Sequence, residues 1–416
     1  MDWYKVAFKG GRLSLKMFLA AGCTLMMMGS ASGKVTNGLE VFLEQHTDLV
    51  KGKRVGLLTN QTGVNSNKQA AVDLFKANPN INLQALFAPE HGIRGDIKAG
   101  ENVGTTRDSK TGLTVYSLYG GKDHRPTKES LDKIDVMIYN IQDIGCRSYT
   151  YIWHMAECMR GCAAAGKPFI VLDVPNPMGA QSMDGPIIEN KFRSFIGLYP
   201  IPYCYGLTAG ELARYLNKEH NINCKLYVVP MVNYRRDMSW ADTGLPWVAT
   251  SPNVPNVRSA QDYCITGTIG TLGQTNIGLG FAPFEIIATP WIDADHMATY
   301  LTAQKIPGIR FVPFTYVPEK GFMAGKLIHG VKISVTDTAN CRPIVATIAI
   351  LCYLQKYYSK YFKWQPEKFN GFDKAIGTAK VREMVMAGEN YKTIIAAWDR
   401  PLSNFRARAA QYKIYK

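Results

Sequence analysis

The chain reads as an α/β protein, a parallel sheet with helices on both faces followed by a smaller α+β part. Three observations carry that reading. Short β-branched runs alternate with helical stretches through the first half, the pattern of strands that need a crossover helix to run parallel. Each of the first four expected strands is followed at once by a polar turn rich in Gly or Pro. Past Arg235-Arg236 the regularity drops, and residues 244–256 are rich in Pro, Gly and Asn. A chain of 416 residues exceeds the size at which one hydrophobic core keeps growing. Residues 33–240 are therefore expected to form one domain, with 241–416 a smaller one closing over it.

Taken in order, strands are expected at 54–59, 83–87, 136–139 and 169–172, with a further one near 227–229. The turns after the first four read Asn60-Gln61-Thr62-Gly63, Ala88-Pro89-Glu90-His91-Gly92, Asn140-Ile141-Gln142-Asp143-Ile144-Gly145 and Asp173-Val174-Pro175-Asn176-Pro177. Ligands of open α/β sheets bind at the carboxyl ends of the strands, so four polar turns on one edge predict one site. Thr208-Ala209-Gly210-Glu211 opens a helix that runs through Asn217 and fits a capping box, which assigns Glu211 to free backbone donors rather than to catalysis. Residues 281–416 mix strands such as 332–335 with helices such as 344–358.

Composition narrows the class. Hydrophobic residues make up 46% and charged residues 19%, which excludes a disordered chain. Lys5, Lys9, Arg12 and Lys16 precede the apolar run 17–28, and Ser30-Ala31-Ser32 supplies small residues for cleavage. Residues 1–32 therefore read as an export signal. The run is short of the about 20 residues that span a bilayer, and no later segment is long and apolar enough to cross one. Leu19-Ala20-Ala21-Gly22-Cys23 offers a second reading, a lipid anchor at Cys23. An exported, periplasmic location is expected. Of the net charge of +15, residues 1–32 contribute +3, leaving +12 on the remainder. For an exported protein such a balance favours anionic wall polymers or lipid head groups over nucleic acid. Eight cysteines remain beyond Cys23, with no CxxC pair, so neither zinc nor another metal is expected. Neither a phosphate-cradling GxxxxGK[ST] nor a GxSxG elbow is present, and no cofactor is implied.

Four constellations carry candidate chemistry. Glu90 sits between Pro89 and Gly92 beside apolar Phe87 and Ile93, a sheltered carboxyl suited to general acid work. The competing role is a brace to Arg94. Asp143, Arg147, Tyr149 and Tyr151 fall in one strand-to-helix connection, where phenol faces suit the apolar side of a sugar ring. A helix cap is the structural alternative for Asp143, while the Arg147 fork matches a carboxylate. Asp173 and Asn176 lie in a Pro-stiffened turn, Asn176 suiting recognition or an Asx turn. Asn253 and Asn276 offer further amides, as does Asn60.

At these loops the chain resembles the exo-β-N-acetylmuramidase family typified by the NamZ enzymes, once catalogued as a domain of unknown function. The likeness runs from about Gly38 to Trp291. It rests on Gly56-Leu57-Leu58-Thr59-Asn60, Pro89-Glu90-His91-Gly92-Ile93-Arg94-Gly95, Asp143-Ile144-Gly145 with Arg147 and Tyr149, Asp173-Val174-Pro175-Asn176-Pro177, and Ser251-Pro252-Asn253. The resemblance implies a Rossmann-like first domain, a smaller second one and a cleft between them. It implies release of N-acetylmuramic acid from the non-reducing ends of peptidoglycan fragments, with Glu90 as catalytic acid. Asp143 is then the first choice for water activation and Asp173 the second, with participation by the substrate's own acetamido group a further route. Asn60, His91, Arg94, Arg147, Tyr149, Tyr151, Asn176, Asn253 and Asn276 are the expected contacts to that amino sugar. The chain departs from many relatives at Leu272-Gly273-Gln274-Thr275-Asn276-Ile277-Gly278-Leu279-Gly280-Phe281, where an acid and an arginine are missing. A non-catalytic periplasmic sugar-binding protein is the rival reading. It needs the amides and aromatics but no catalytic acid, so sugar binding without turnover would favour it.

Overall fold

The computed structural model describes residues 33–90, 92–95, 104–119 and 124–416. The expected export signal, Cys23 and His91 lie outside these residues. Strands β1 (Arg54–Thr59), β2 (Asn82–Ala88), β3 (Thr106–Arg107), β4 (Thr114–Ser117), β5 (Val136–Asn140), β6 (Phe169–Leu172) and β9 (Leu226–Val229) form one sheet, in the order β3-β4-β2-β1-β5-β6-β9. Between β6 and β9 a short ribbon pairs β7 (Met183–Asp184) with β8 (Cys204–Tyr205). In the large sheet every pair is parallel except the edge pair β3 and β4. Counting only the parallel strands, the order is 3-2-1-4-5-6, the doubly wound Rossmann arrangement. The chain reverses direction across the sheet between β1 and β5.

Burial follows from that topology. Every residue of β5 and β6, and all of β1 except Arg54, is buried, because a doubly wound sheet is covered on both faces. One face carries Leu39 and Phe42 of α1 (Gly38–Gln45) and Val72 and Phe75 of α2 (Ala71–Ala77) against Val55, Leu57 and Ile138. On the other, Leu58, Phe87, Met137 and Tyr139 meet Ile152, Met155 and Met159 of α4 (Tyr151–Ala164) and Leu212 and Leu216 of α5 (Ala209–Glu219). Leu131 of the short α3 (Lys128–Asp132) joins this second layer. Thr208 and Glu211 close a capping box on α5, the hydroxyl accepting from Glu211 N at 3.3 Å and the carboxylate from Thr208 N at 3.1 Å.

After the single-turn α6 (Trp240–Thr243), helix α7 (Val257–Gly270) leads into the second half. There β10 (Ile286–Thr289), β11 (Ile309–Tyr316) and β12 (Ile328–Val335) make an antiparallel sheet in the order β10-β12-β11, joined by α8 (Ala294–Ala303) and α9 (Pro343–Tyr358). Helices α10 (Pro366–Ile376), α11 (Lys380–Met386), α12 (Tyr391–Ala396) and α13 (Asp399–Ala409) complete it. The core of the α4–α5 face continues without a break through Ile265, Ile287, Ile333, Ile348 and Leu402, and residues 34–416 form one compact unit. Asp184 joins the halves, its buried carboxylate accepting from Ile344 N at 2.9 Å and pairing with Arg342 at 3.0 Å. A carboxylate at the amino terminus of α9 answers both the free backbone donors and the helix dipole. The eight cysteines are free thiols. No helix among the described residues is long and apolar enough to cross a membrane.

Candidate active site

In doubly wound sheets the crevice opens where the strand order reverses, here at the carboxyl ends of β1 and β5. The Thr59 hydroxyl donates to Asn140 O at 2.7 Å and locks the two strand ends together. Gly63 lies so close that an added Cβ would stand 2.2 Å from Thr59 Oγ1. Asn60 closes an Asx turn, its Oδ1 accepting from Thr62 N at 2.9 Å and from the Thr62 hydroxyl at 2.6 Å. Gln61 Nε2 donates to Ala249 O at 3.0 Å and Thr250 O at 3.2 Å, which pins the 249–250 segment over the crevice.

Asp143 stands on the β5 side. Its Oδ2 accepts from Gly145 N at 2.7 Å and from the Tyr205 hydroxyl. It caps no helix, because α4 begins only at Tyr151 with Thr150 as its N-cap. The side chain is buried, and burial pushes its carboxyl up to about 7 against the opposite pull of the Tyr205 hydroxyl and two backbone donors. Asp143 Oδ1, Asn60 Nδ2, Gln61 Oε1, Tyr139 Oη and Asn140 Oδ1 are all buried without a partner among the described residues. Buried polar atoms are normally bonded. Their concentration at the ends of two adjacent strands marks the place where a polar ligand or water completes the structure.

Glu90 follows β2 and is half-buried. Its carboxylate bonds the Tyr119 hydroxyl, and burial together with that charge raises the Tyr119 pKa. Burial likewise pushes Tyr151 well up, and the charges of both Glu90 and Asp143 act on it in the same direction. Tyr149 packs edge-on against Tyr151 at 5.0 Å between ring centroids, and against Tyr263 at 5.8 Å. The hydroxyls of Tyr149 and Tyr151 are both held by Thr250, the first at 2.9 Å.

Several expected site residues are engaged elsewhere. Arg147 is fully buried, and its terminal nitrogens donate to Pro186 O, Ile201 O, Ala375 O and Ile376 O at 2.7–3.1 Å. It braces α10 to the first half and has no face toward a substrate carboxylate. Arg94 forks onto Asp108 at 3.0 Å and Asp73 at 2.9 Å, which ties its guanidinium to two carboxylates of the first half. Asp173 is fully buried with both oxygens occupied, by Val174 N and Gly210 N on one and by the Thr208 and Tyr415 hydroxyls on the other. No lone pair is left free for activating water, although burial pushes its carboxyl up to about 6. Asn176 makes an Asx turn to Met178 N at 2.9 Å and donates to Leu207 O at 2.9 Å. Asn276 likewise accepts from Gly278 N and donates to Phe322 O. Asn253 is exposed on the turn between Ser251 and Val254. Tyr119, Tyr205 and Thr250 were not foreseen. Only Tyr119 had a local signal, as the residue before the Gly120-Gly121 pair.

The fold is a doubly wound α/β sheet, and the connections after β2 and β5 carry two carboxylates, Glu90 and Asp143, each bonded to a phenol. Comparison with known proteins gives the family. The N-terminal model of the exo-β-N-acetylmuramidase NamZ matches residues 55–258, and the C-terminal model matches 263–415. The chain belongs to that family. It is 40% identical over 385 residues to the peptidoglycan β-N-acetylmuramidase NamZ of Bacillus subtilis, covering 92% of each chain. Crystal structures of two DUF1343 family proteins from Bacteroides fragilis superpose with TM-scores of 0.87 and 0.69 at 37% and 28% identity, each over 92% of this chain and 99% of the other.

Proposed function

We propose that this protein is an exo-acting glycoside hydrolase that releases N-acetylmuramic acid from the non-reducing ends of peptidoglycan fragments. The reading rests on the match of both family halves to the muramidase. One observation of the site carries the chemistry, the Asp143 carboxylate buried just after β5 and held through one oxygen by Gly145 N and the Tyr205 hydroxyl. In this reading Glu90, the more open of the two, protonates the leaving glycosidic oxygen. Asp143 takes the proton of the attacking water through the Oδ1 that no described residue occupies, while Tyr205 and Gly145 hold its other oxygen. Tyr149 offers ring surface to the sugar and is backed by the buried ring of Tyr151. Two carboxyl groups dividing these roles is the usual arrangement for glycoside hydrolysis.

The basic, apolar and small-residue order of 1–32 supports export of the chain to the periplasm, where peptidoglycan fragments arise and are recycled. The test of the catalytic assignment is a chromogenic muramic acid glycoside. Glu90→Gln lowers its turnover by about 10²–10⁴-fold, the usual contribution of a positioned acid, without loss of folding. Release at the wild-type rate by this variant overturns the role of Glu90.

A further inference from the structure

A second pocket lies at the opposite edge of the sheet. Helices α4 and α5 both start at the crevice and both end beside this pocket, of about 520 Å³, lined by Arg160, Arg193, Tyr199, His220, Asn221 and Asn223 with a small apolar wall. Helix α4 has 14 residues, so at about 1.5 Å per residue the pocket stands roughly 20 Å from Tyr151.

Its lining is cationic and contains no carboxylate. Arg193 is exposed, sits over the Tyr199 ring at 5.5 Å and spends only its Nε, on Leu198 O. Arg160 gives Nη1 to Glu157 at 2.9 Å and keeps its other donors. Two opposing charges lie close by: Glu157 is already shared between Arg160 and Arg125, and Glu219, which acts on His220, accepts from the Tyr412 hydroxyl at 2.6 Å. The His220 ring packs on Tyr199 at 4.8 Å, and its Nε2 is buried without a partner among the described residues. Two helix carboxyl ends place about −0.5 charge each beside the pocket. Against that stand four guanidinium groups, of Arg125, Arg160, Arg193 and Arg408, and two carboxylates, of Glu157 and Glu219, a balance of +2, so a positive field remains.

We propose that this pocket binds a sugar-sized anion, a hexose bearing a carboxylate or a phosphate, separately from the switch-point crevice. The volume exceeds that of a bare inorganic anion and lies in the range of small-ligand sites. Tyr199, Ile222 and Ala163 give the ring an apolar wall, and the free guanidinium donors suit an oxyanion. An enzyme carrying such a site holds on to acidic wall polymer while its crevice works on a chain end. The proposal stands independently of the hydrolase reading.

Calorimetric titration of the full chain with glucuronic acid, glucose 1-phosphate and neutral glucose tests it. At least one anionic sugar binds saturably and glucose does not, and which of the two binds identifies the acid group. Arg193→Glu weakens that binding by roughly tenfold or more, equivalent to about 1.4 kcal/mol, and leaves hydrolysis of a muramic acid glycoside unchanged. Arg160→Gln gives the same pattern should the first variant fold poorly. The proposal is overturned by absence of saturable binding for both anions, by equal binding of glucose, or by anion binding that survives both substitutions and inhibits hydrolysis.

Discussion

Asp143 concentrates the electrostatics of the crevice in one residue. Its folded pKa of about 7 lies above the roughly 3.9 of an unfolded chain, so the folded state holds an extra proton between those values. Its contribution to stability is therefore most favourable below about pH 4, declines as pH rises to about 7 and stays flat beyond. A shift of about three units corresponds to roughly 4 kcal/mol at most. Buried His154, pulled down to about 3 by burial, acts in the opposite direction over pH 3 to 6.5, so only a comparison isolates the aspartate. Asp143→Asn is expected to lose that decline, seen as a melting temperature that gains on the wild type between pH 4 and 7. A constant difference between the two across that range would contradict the assignment. If Asp143 acts as a base, wild-type turnover also rises to a plateau near pH 7. Arg147 yields a contrasting expectation. Arg147→Lys leaves several of its four buried carbonyls unpaired and costs about 2–4 kcal/mol in denaturant unfolding, with KM unchanged. A raised KM at full stability would return Arg147 to the substrate site.

At the scale of elements, the loop after β5 is held by close approach. Gly145 has φ of +82°, and a Cβ there would fall 2.1 Å from Asn176 Oδ1. Gly145→Ala is expected to cost about 1–3 kcal/mol and to lower kcat more than it changes KM, because the Asp143 carboxylate hangs from the Gly145 N–H. Unaltered kcat in a destabilised variant would detach that turn from the chemistry. The buried parallel strands were readable because a strand covered on both faces is a continuous apolar run, and 54–59 and 169–172 match the observed β1 and β6. Strand β4 was not readable, since Thr114–Ser117 is four residues long and only one of them is buried. The site divides the same way. Glu90 and Asp143 stood out in the sequence because each lies in the polar turn after a strand, whereas Tyr151 opens α4 at the far end of the connection that bears Asp143. The bonding of Arg147 and Asp173 was not readable because their partners are distant, Ile376 at 229 residues and Tyr415 at 242. Tyr205 escaped notice for the same reason, acting on Asp143 from 62 residues away.

For the molecule as a whole, the carboxyl-terminal residues return to the first half. The Tyr415 hydroxyl donates to Asp173 and accepts from Met231 N, Lys416 O accepts from Arg236 N, and Ile414 N donates to Glu211. Removing residues 413–416 uncovers two buried carboxylates at once, with an expected loss of about 2–5 kcal/mol in differential scanning calorimetry. The full chain is expected to unfold in one transition, because one core runs through both halves. Two resolved transitions would contradict that continuity. The central claim is that the crevice removes one muramic acid at a time from a chain end, and product analysis on defined peptidoglycan oligosaccharides tests it most directly. With N-acetylmuramic acid at the non-reducing end, the wild type releases that monosaccharide alone, while a chain capped there by N-acetylglucosamine stays intact. Cleavage at internal bonds, or equal attack on the capped chain, would contradict the account.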